Sequence, residues 1–169
     1  YPSKDKKNTL FASTFRKEAP TTHRALIVLH GQAEHGGRYL HFPHYLKNTV
    51  DVIFAPDIRG HGRSSGLRGH VDGFDDYVAD CAVGIERFIQ QQKTLNPKTE
   101  FHLFGHSMGG LIALLLLLKH PEFKFKTVTA SAPALALAFK VNILKEAAAW
   151  GLSKIWGSVQ MPSDLDIRS

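Results

Sequence analysis

Two serines lie between glycines in the pattern G-x-S-x-G, at residues 62–66 and at residues 105–109. A serine in this pattern can attack an acyl carbonyl when it stands on a sharp turn between a strand and a helix. Residues 105–109 have that context, because a strand-like stretch precedes them and an apolar, helix-like run follows them. We therefore predict that Ser107 is a nucleophile for acyl transfer and that Ser64, which follows a loop, has a structural role.

An acyl-transfer site also needs hydrogen-bond donors for the negative oxygen of the tetrahedral intermediate. One donor in this arrangement is the backbone N–H of the residue after the nucleophile, here Met108, where the start of a helix adds positive dipole charge. The second donor comes from the loop after an earlier strand. The apolar stretch at residues 25–30 ends at Gly31, so we predict that the backbone N–H of Gln32 is that second donor.

A serine hydroxyl also needs a base, normally a histidine held by a carboxylate, and in this arrangement both follow the serine in the chain. His120 is the only histidine after Ser107, and it stands 13 positions further on, at the far end of the same predicted helix. At 1.5 Å per residue, about 20 Å separates the two residues, which excludes His120 as the base. The acidic residues after Ser107 are Glu122, Glu146, Asp164 and Asp166. They occupy a helix exit or the last segment, so we expect the catalytic acid and histidine to lie outside these 169 residues.

Alternating strands and helices must position these groups. Strands are predicted at residues 10–15, 25–30, 52–55, 100–104 and 127–131, and helices at residues 38–48, 74–95 and 111–119. This alternation implies an α/β fold with a mostly parallel sheet and helices on both faces. Residues 111–119 are apolar all round, which predicts a central, buried helix. Residues 134–159 indicate a further helix with a broad apolar face, appended to the sheet.

Composition and charge exclude several classes of protein. Hydrophobic residues make up 43% of the 169 residues and charged residues 21%, as in an ordinary soluble domain. The net charge of +6 is not gathered into a basic, aromatic-rich strip, which argues against nucleic-acid binding. The single cysteine, Cys81, excludes an internal disulfide and favours a reducing compartment such as the cytoplasm. No apolar run is long enough to span a bilayer, and no metal cluster or cofactor fingerprint is present, so we expect neither metal nor cofactor.

Together these motifs resemble the monoacylglycerol lipase and lysophospholipase group of serine α/β-hydrolases. The resemblance is carried by His30-Gly31, Glu34-His35, Arg38-Tyr39, and residues 57–64, 105–110 and 131–134. It implies the α/β-hydrolase fold, with Ser107 as acyl-accepting nucleophile and Gln32 and Met108 as the oxyanion hole. It further implies a lipid-like ester substrate. Residues 57–64 are then a structural turn, and the stretch after Pro133 begins a mobile, apolar cap that can rest on a membrane surface.

Two classes of function stay open. The first is a serine hydrolase that cleaves carboxylic esters of single-chain lipids, such as monoacylglycerols or lysophospholipids, with small soluble esters as an alternative substrate. The second is a non-catalytic interaction protein that keeps the hydrolase fold. We expect residues 1–133 to form the N-terminal part of a hydrolase core, and residues 134–169 the beginning of a helical cap. The C-terminal part of the sheet would then be missing, and residues 127–131 would form an unpaired edge. We expect residues 1–169 to be inactive on their own. The sequence carries no signal for an oligomeric state.

Overall fold

The computed structural model describes residues 1–135, so the predicted cap lies almost entirely outside the described residues. The strands of the described part are β1 (Ala12–Arg16), β2 (Arg24–Leu29), β3 (Val52–Pro56), β4 (Glu100–His106) and β5 (Thr127–Ser131). Its α-helices are α1 (Phe42–Tyr45), α2 (Phe74–Leu95) and α3 (Met108–Lys119), with 3₁₀ turns at Gly36–Tyr39 and Pro121–Phe123. All five predicted strands are therefore present.

The strands form one sheet in the order β1-β3-β2-β4-β5. β1 is antiparallel to β3, and every other pair is parallel, which confirms the predicted mostly parallel sheet. Leu29 at the end of β2 lies opposite Gly105 of β4, and His106 lies opposite Ser131. The carboxyl ends of these three strands thus meet at one edge of the sheet, where ligands bind in open α/β sheets.

Helices α2 and α3 cover one face of the sheet. The strand side chains on this face alternate along β2, where Ala25, Ile27 and Leu29 are fully buried. The apolar stripe of α2 packs against them, as its helical periodicity predicts, and it includes Cys81, whose thiol has its pKa raised by burial. Cys81 is therefore a core residue. No helix of the described part is long and apolar enough to cross a membrane.

The opposite face is covered by short helical turns, so the prediction of helices on both faces is confirmed. Val28 and Ala55 pack there against Tyr39, with Phe42 of α1 beside them. The continuous helix predicted for residues 38–48 is wrong, because a 3₁₀ turn and the one-turn α1 stand in its place. Pro43 has no N–H to donate to the carbonyl group four residues earlier, which interrupts a continuous helix at this point.

The prediction that residues 111–119 are buried all round is also wrong. Ile112, Ala113 and Leu116 are fully buried against the sheet, whereas Leu117 is 41% exposed and Leu118 is 78% exposed. One face of α3 lies on the sheet, and no other described element covers its far side. Within the described residues β5 pairs with β4 alone, so it is an edge strand as predicted.

A buried ion pair ties the turn after β3 to helix α2. The guanidinium of Arg59 donates from Nε and Nη2 to the two carboxylate oxygens of Asp80, at 2.7 and 3.0 Å. Asp80 also accepts from the backbone N–H of Lys4 at 2.7 Å, and Arg59 reaches Asp5 at 3.1 Å. Each buried charge is compensated by the other, so removal of either one would leave an unpaired charge in the interior. The bonds also fix the N-terminal segment and the turn to the same helix.

Candidate active site

Ser107 occupies a strained turn between β4 and α3. Its backbone has φ +52° and ψ −115°, a conformation that residues with a side chain rarely adopt. Its carbonyl oxygen accepts hydrogen bonds from the N–H groups of Leu111 and Ala134, each at 3.1 Å. A strained residue persists when its surroundings over-determine it, and such residues cluster at functional sites.

The glycines of the motif are required by close backbone approaches. A Cβ atom at Gly105 would overlap the carbonyl oxygen of Gly109, and one at Gly109 would overlap the carbonyl oxygen of Leu29. These contacts bring the turn and the start of α3 directly against the end of β2. The structure therefore has the strand–turn–helix arrangement that the sequence context of residues 105–109 predicts.

The loop after β2 lies beside this turn. A Cβ atom placed on Gly31 would be 3.2 Å from the Cβ atom of Ser107, so a side chain at this position would crowd Ser107. Gln32 follows and is exposed. Within residues 1–135, no acceptor binds the backbone N–H of Gln32 or of Met108. The pairing of β2 with β4 thus places Gly31, the residue before Gln32, next to Ser107, the predicted nucleophile.

His30 supports this loop from inside the protein. Its ring is fully buried, and Nε2 accepts a 2.9 Å hydrogen bond from the N–H of Ile58. Nδ1 therefore carries the proton and donates to the carbonyl oxygen of Gly31 at 2.8 Å. Burial lowers the pKa of His30 to about 4. A neutral imidazole with both nitrogen atoms engaged is a structural group and not a base for Ser107.

The second G-x-S-x-G serine is structural, as predicted. Ser64 is fully buried, its hydroxyl donates to the carbonyl oxygen of Asp57 at 2.5 Å, and it accepts from the N–H of Phe11 at 2.9 Å. The carboxylate of Asp57 accepts from the N–H groups of Gly36 and Arg63. This network makes residues 57–64 a structural turn, as the sequence predicts.

Among the described residues, no histidine is hydrogen-bonded to the hydroxyl of Ser107. His120 ends α3, with Nδ1 2.9 Å from Oε1 of Glu122 and its ring stacked on Phe123. The two residues flank α3 and stand 13 positions apart, which separates them by about 20 Å. This position agrees with the exclusion of His120 from the sequence.

Glu34 contacts the site although the sequence reasoning gave it no role. Its Oε2 accepts from the N–H of Gly31 at 3.1 Å and from the hydroxyl of Tyr39 at 3.3 Å. Beyond its place in the family motif, the signal in the sequence is an acidic residue three positions after Gly31, a spacing that lets a side chain bond back to the backbone. That spacing alone does not show that the loop turns back toward Ser107.

The mostly parallel sheet, the strained serine and the loop beside it define an α/β-hydrolase fold with Ser107 on the turn where the sequence predicts the nucleophile. Residues 20–169 match the family described as "Serine aminopeptidase, S33", and the chain belongs to this family. This match, together with the relatives described next, confirms the predicted membership of the chain in the serine α/β-hydrolases of the monoacylglycerol lipase and lysophospholipase group.

Named relatives and a solved structure agree with this assignment. The chain is 35% identical over 133 residues to the monoglyceride lipase of Mus musculus, covering 79% of this chain and 43% of the relative. It is 27% identical over 154 residues to phospholipase YtpA of Bacillus subtilis, covering 91% and 56%. The crystal structure of Paleococcus ferrophilus monoacylglycerol lipase superimposes with a TM-score of 0.73 at 29% identity, covering 94% and 56%. The chain spans about half the length of the curated relatives it matches.

Proposed function

We propose that the protein containing these residues hydrolyses carboxylic esters of single-chain lipids, such as monoacylglycerols or lysophospholipids, through an acyl-enzyme on Ser107. The observation that carries the proposal is the strained Ser107 turn, with Gly31 so close that a Cβ atom there would be 3.2 Å from the Cβ atom of Ser107. The names of the relatives, a monoglyceride lipase and a phospholipase, support a lipid ester as the substrate.

The proposed reaction has two steps. Oγ of Ser107 bonds to the ester carbonyl carbon while its proton passes to a base. The bond from that carbon to the alcohol oxygen then breaks, and the alcohol leaves with the proton. Water attacks the acyl-enzyme in the second step, and it releases the fatty acid and the free serine.

The negative oxygen of each tetrahedral intermediate is assigned to the N–H groups of Gln32 and Met108. Two features support this assignment. Neither group has an acceptor within residues 1–135. Met108 directly follows Ser107, and Gln32 directly follows Gly31, which lies next to Ser107. Met108 is the first residue of α3, where unpaired N–H groups carry partial positive charge. Donors of this kind each contribute about 10²- to 10³-fold to the rate.

We assign the base and its carboxylate partner to a continuation of the chain, as the sequence predicts. The greater length of the relatives supports this assignment. Residues 1–169 alone are then expected to hydrolyse esters poorly, because general-base catalysis supplies about 10²- to 10⁴-fold. Peripheral contact with a lipid surface through the apolar residues 134–159 belongs to the same proposal.

Hydrolysis assays with the full-length protein test the proposal. The substrates are a long-chain monoacylglycerol, a lysophosphatidylcholine, a short-chain soluble ester and an aminoacyl anilide, assayed with wild type, Ser107→Ala and Ser64→Ala. We expect Ser107-dependent cleavage of at least one of the two lipid esters, with Ser64→Ala retaining activity. Cleavage of the soluble ester alone, or of the anilide alone, would contradict the lipid assignment. No Ser107-dependent cleavage of any substrate would favour a non-catalytic interaction protein.

A further inference from the structure

The Glu34 carboxylate lies beside Gly31, in the same loop. A Cβ atom placed on Gly31 would be 3.2 Å from the Cβ atom of Ser107 and 3.5 Å from Oε2 of Glu34. The carboxylate and Ser107 are thus both neighbours of Gly31. The carboxylate does not point into open solvent, because only 20% of the Glu34 side chain is exposed.

Three groups hold the Glu34 carboxylate. Oε2 accepts from the backbone N–H of Gly31 at 3.1 Å and from the hydroxyl of Tyr39 at 3.3 Å, and Oε1 lies 3.6 Å from Nε of Arg38. Tyr39 is itself anchored, because its ring makes edge contacts with Phe42 and Phe104. Burial, followed by the neighbouring Glu34 charge, raises the pKa of Tyr39, so the phenol keeps its proton and donates. The guanidinium of Arg38 balances the negative charge of the carboxylate.

The peptide groups on both sides of Gly31 are therefore fixed. Glu34 holds the N–H of the 30–31 peptide, and the ring of His30 holds the carbonyl oxygen of the 31–32 peptide. In a trans peptide the N–H points away from the carbonyl oxygen, so the bond from His30 directs the N–H of Gln32 to the opposite side. The φ and ψ angles of Gly31 are fixed when both of these peptides are hydrogen-bonded. His30 bonds one peptide, and Glu34 bonds the other.

The loop needs such a hold, because Ala33 has a φ of +58°, a backbone conformation unfavourable for a residue with a side chain. Strain of this kind costs about 1–3 kcal/mol and persists only where neighbouring contacts over-determine it. The bond from Glu34 back to Gly31 closes the turn that contains Ala33.

We propose that Glu34 is a positioning residue: its carboxylate, held by Tyr39 and Arg38, fixes the Gly31 peptide so that the N–H of Gln32 faces the oxyanion formed at Ser107. This inference rests on the proposed function, since it concerns the same intermediate. The Glu34 carboxylate makes no hydrogen bond to Ser107, and in this assignment it does not contact the substrate. Its effect is expected on the stability of the tetrahedral intermediate rather than on ground-state binding.

The test measures kcat and KM for the full-length protein with its best lipid ester. Glu34→Ala is expected to lower kcat by about 10- to 100-fold and to change KM by less than about 3-fold, because a misplaced donor weakens only the transition state. Glu34→Gln keeps one oxygen for the N–H of Gly31 and is expected to stay within about 5-fold of the wild-type kcat. Tyr39→Phe keeps the ring and removes the hydroxyl, with a loss of at most about 5-fold. Glu86→Ala, at an exposed position of α2, is the matched control and should match wild type.

An alkylboronic acid provides a second readout, because it forms a tetrahedral adduct with a reactive serine. Its inhibition constant should rise in Glu34→Ala by the same factor by which kcat/KM falls, while the affinity for the fatty-acid product stays unchanged. A purely structural role would not separate these two affinities. If Glu34→Ala does not fold, Glu34→Met makes the same comparison, since it keeps the side-chain volume and removes both oxygens.

The outcomes separate this inference from the proposed function. If Ser107→Ala abolishes hydrolysis but folded Glu34→Ala keeps the wild-type kcat and boronic acid affinity, the role of Glu34 is overturned and the proposed function stands. An equal loss of affinity for the boronic acid and for the fatty acid also overturns it. If Ser107→Ala retains hydrolysis, the proposed function itself fails.

Discussion

The backbone N–H of Ser107 donates a 2.9 Å hydrogen bond to the carbonyl oxygen of Ser131, the last residue of β5. The carbonyl oxygen of Ser107 accepts in turn from the N–H of Ala134, so one backbone polar group of this strained residue is bonded to the end of β5 and the other to the chain just after it. The edge strand of the described sheet therefore helps to hold the predicted nucleophile in place. The position of β5 therefore affects the backbone of Ser107 as well as the edge of the sheet.

Replacement of Gly105 should disrupt the turn at the nucleophile. A Cβ atom at this position would overlap the backbone of Gly109 and come within 2.8 Å of the nitrogen of Gly110. Backbone atoms cannot yield as a flexible side chain can, so Gly105→Ala is expected to lower the free energy of unfolding by about 3 kcal/mol or more. Denaturant unfolding measures this loss. Gly73→Ala is the matched control, because a Cβ atom there meets nothing within 4 Å, and an equal loss in both variants would contradict the steric argument.

Removal of one partner of the Arg59–Asp80 pair should be costly. The two side chains are only 9% and 2% exposed, so Asp80→Leu leaves a buried guanidinium with less compensation and is expected to cost about 3–5 kcal/mol of unfolding free energy. The double variant Arg59→Met with Asp80→Leu should lose less than Asp80→Leu alone. Lys119→Met removes the exposed ion pair with Asp75 and should cost less than about 1 kcal/mol. Additive losses in the double variant would show that the two charges do not depend on each other.

The buried His30 should make stability depend on pH. Burial lowers its pKa in the folded protein to about 4, whereas the unfolded value is 6.5, so the unfolded chain binds the proton more tightly. The contribution of neutral His30 to the free energy of unfolding is complete above pH 6.5. It is lost as the pH falls from 6.5 toward 4, by about 3 kcal/mol in all. Urea unfolding of wild type and His30→Gln across this range tests the effect. The wild-type unfolding free energy should fall more steeply, and parallel curves would rule out a neutral, buried His30.

Ser64 should matter for folding and not for catalysis. Ser64→Ala removes a buried donor to Asp57 and a buried acceptor from Phe11, and it should cost about 1–3 kcal/mol of unfolding free energy. The folded variant should keep the wild-type kcat for ester hydrolysis. A Ser64→Ala variant that unfolds like wild type but has lost its activity would reverse the roles assigned to the two serines.

The sheet was predictable because its strands are apolar and end at clear signals. β5 spans the predicted residues, and α2 has the predicted bounds, since its apolar residues recur with helical spacing over 22 positions. The errors arose where tertiary structure decides the outcome. Leu117 and Leu118 have the same character as the buried Leu116, and only the single sheet face under α3 determines which of them is covered.

The strand–turn–helix setting of Ser107 was predictable because a motif and its context act together. Ser107 follows from a glycine-flanked serine between a strand and a helix, and the Gln32 loop follows from the end of β2. Glu34 could not be found in this way, because its contact with Gly31 depends on the path of a loop with a positive φ at Ala33. The anchoring of Glu34 by Tyr39 depends in turn on packing across the second face of the sheet.

The most direct test of the central claim is covalent labelling of the full-length protein with a fluorophosphonate, followed by mass spectrometry of its peptides. Such a reagent bonds to a serine that is activated for acyl transfer, and fluoride leaves. We predict one adduct, on the peptide that contains Ser107, in both wild type and Ser64→Ala, and no adduct in Ser107→Ala. Undiminished labelling of Ser107→Ala, or an adduct confined to another residue, would contradict the assignment of Ser107 as the nucleophile.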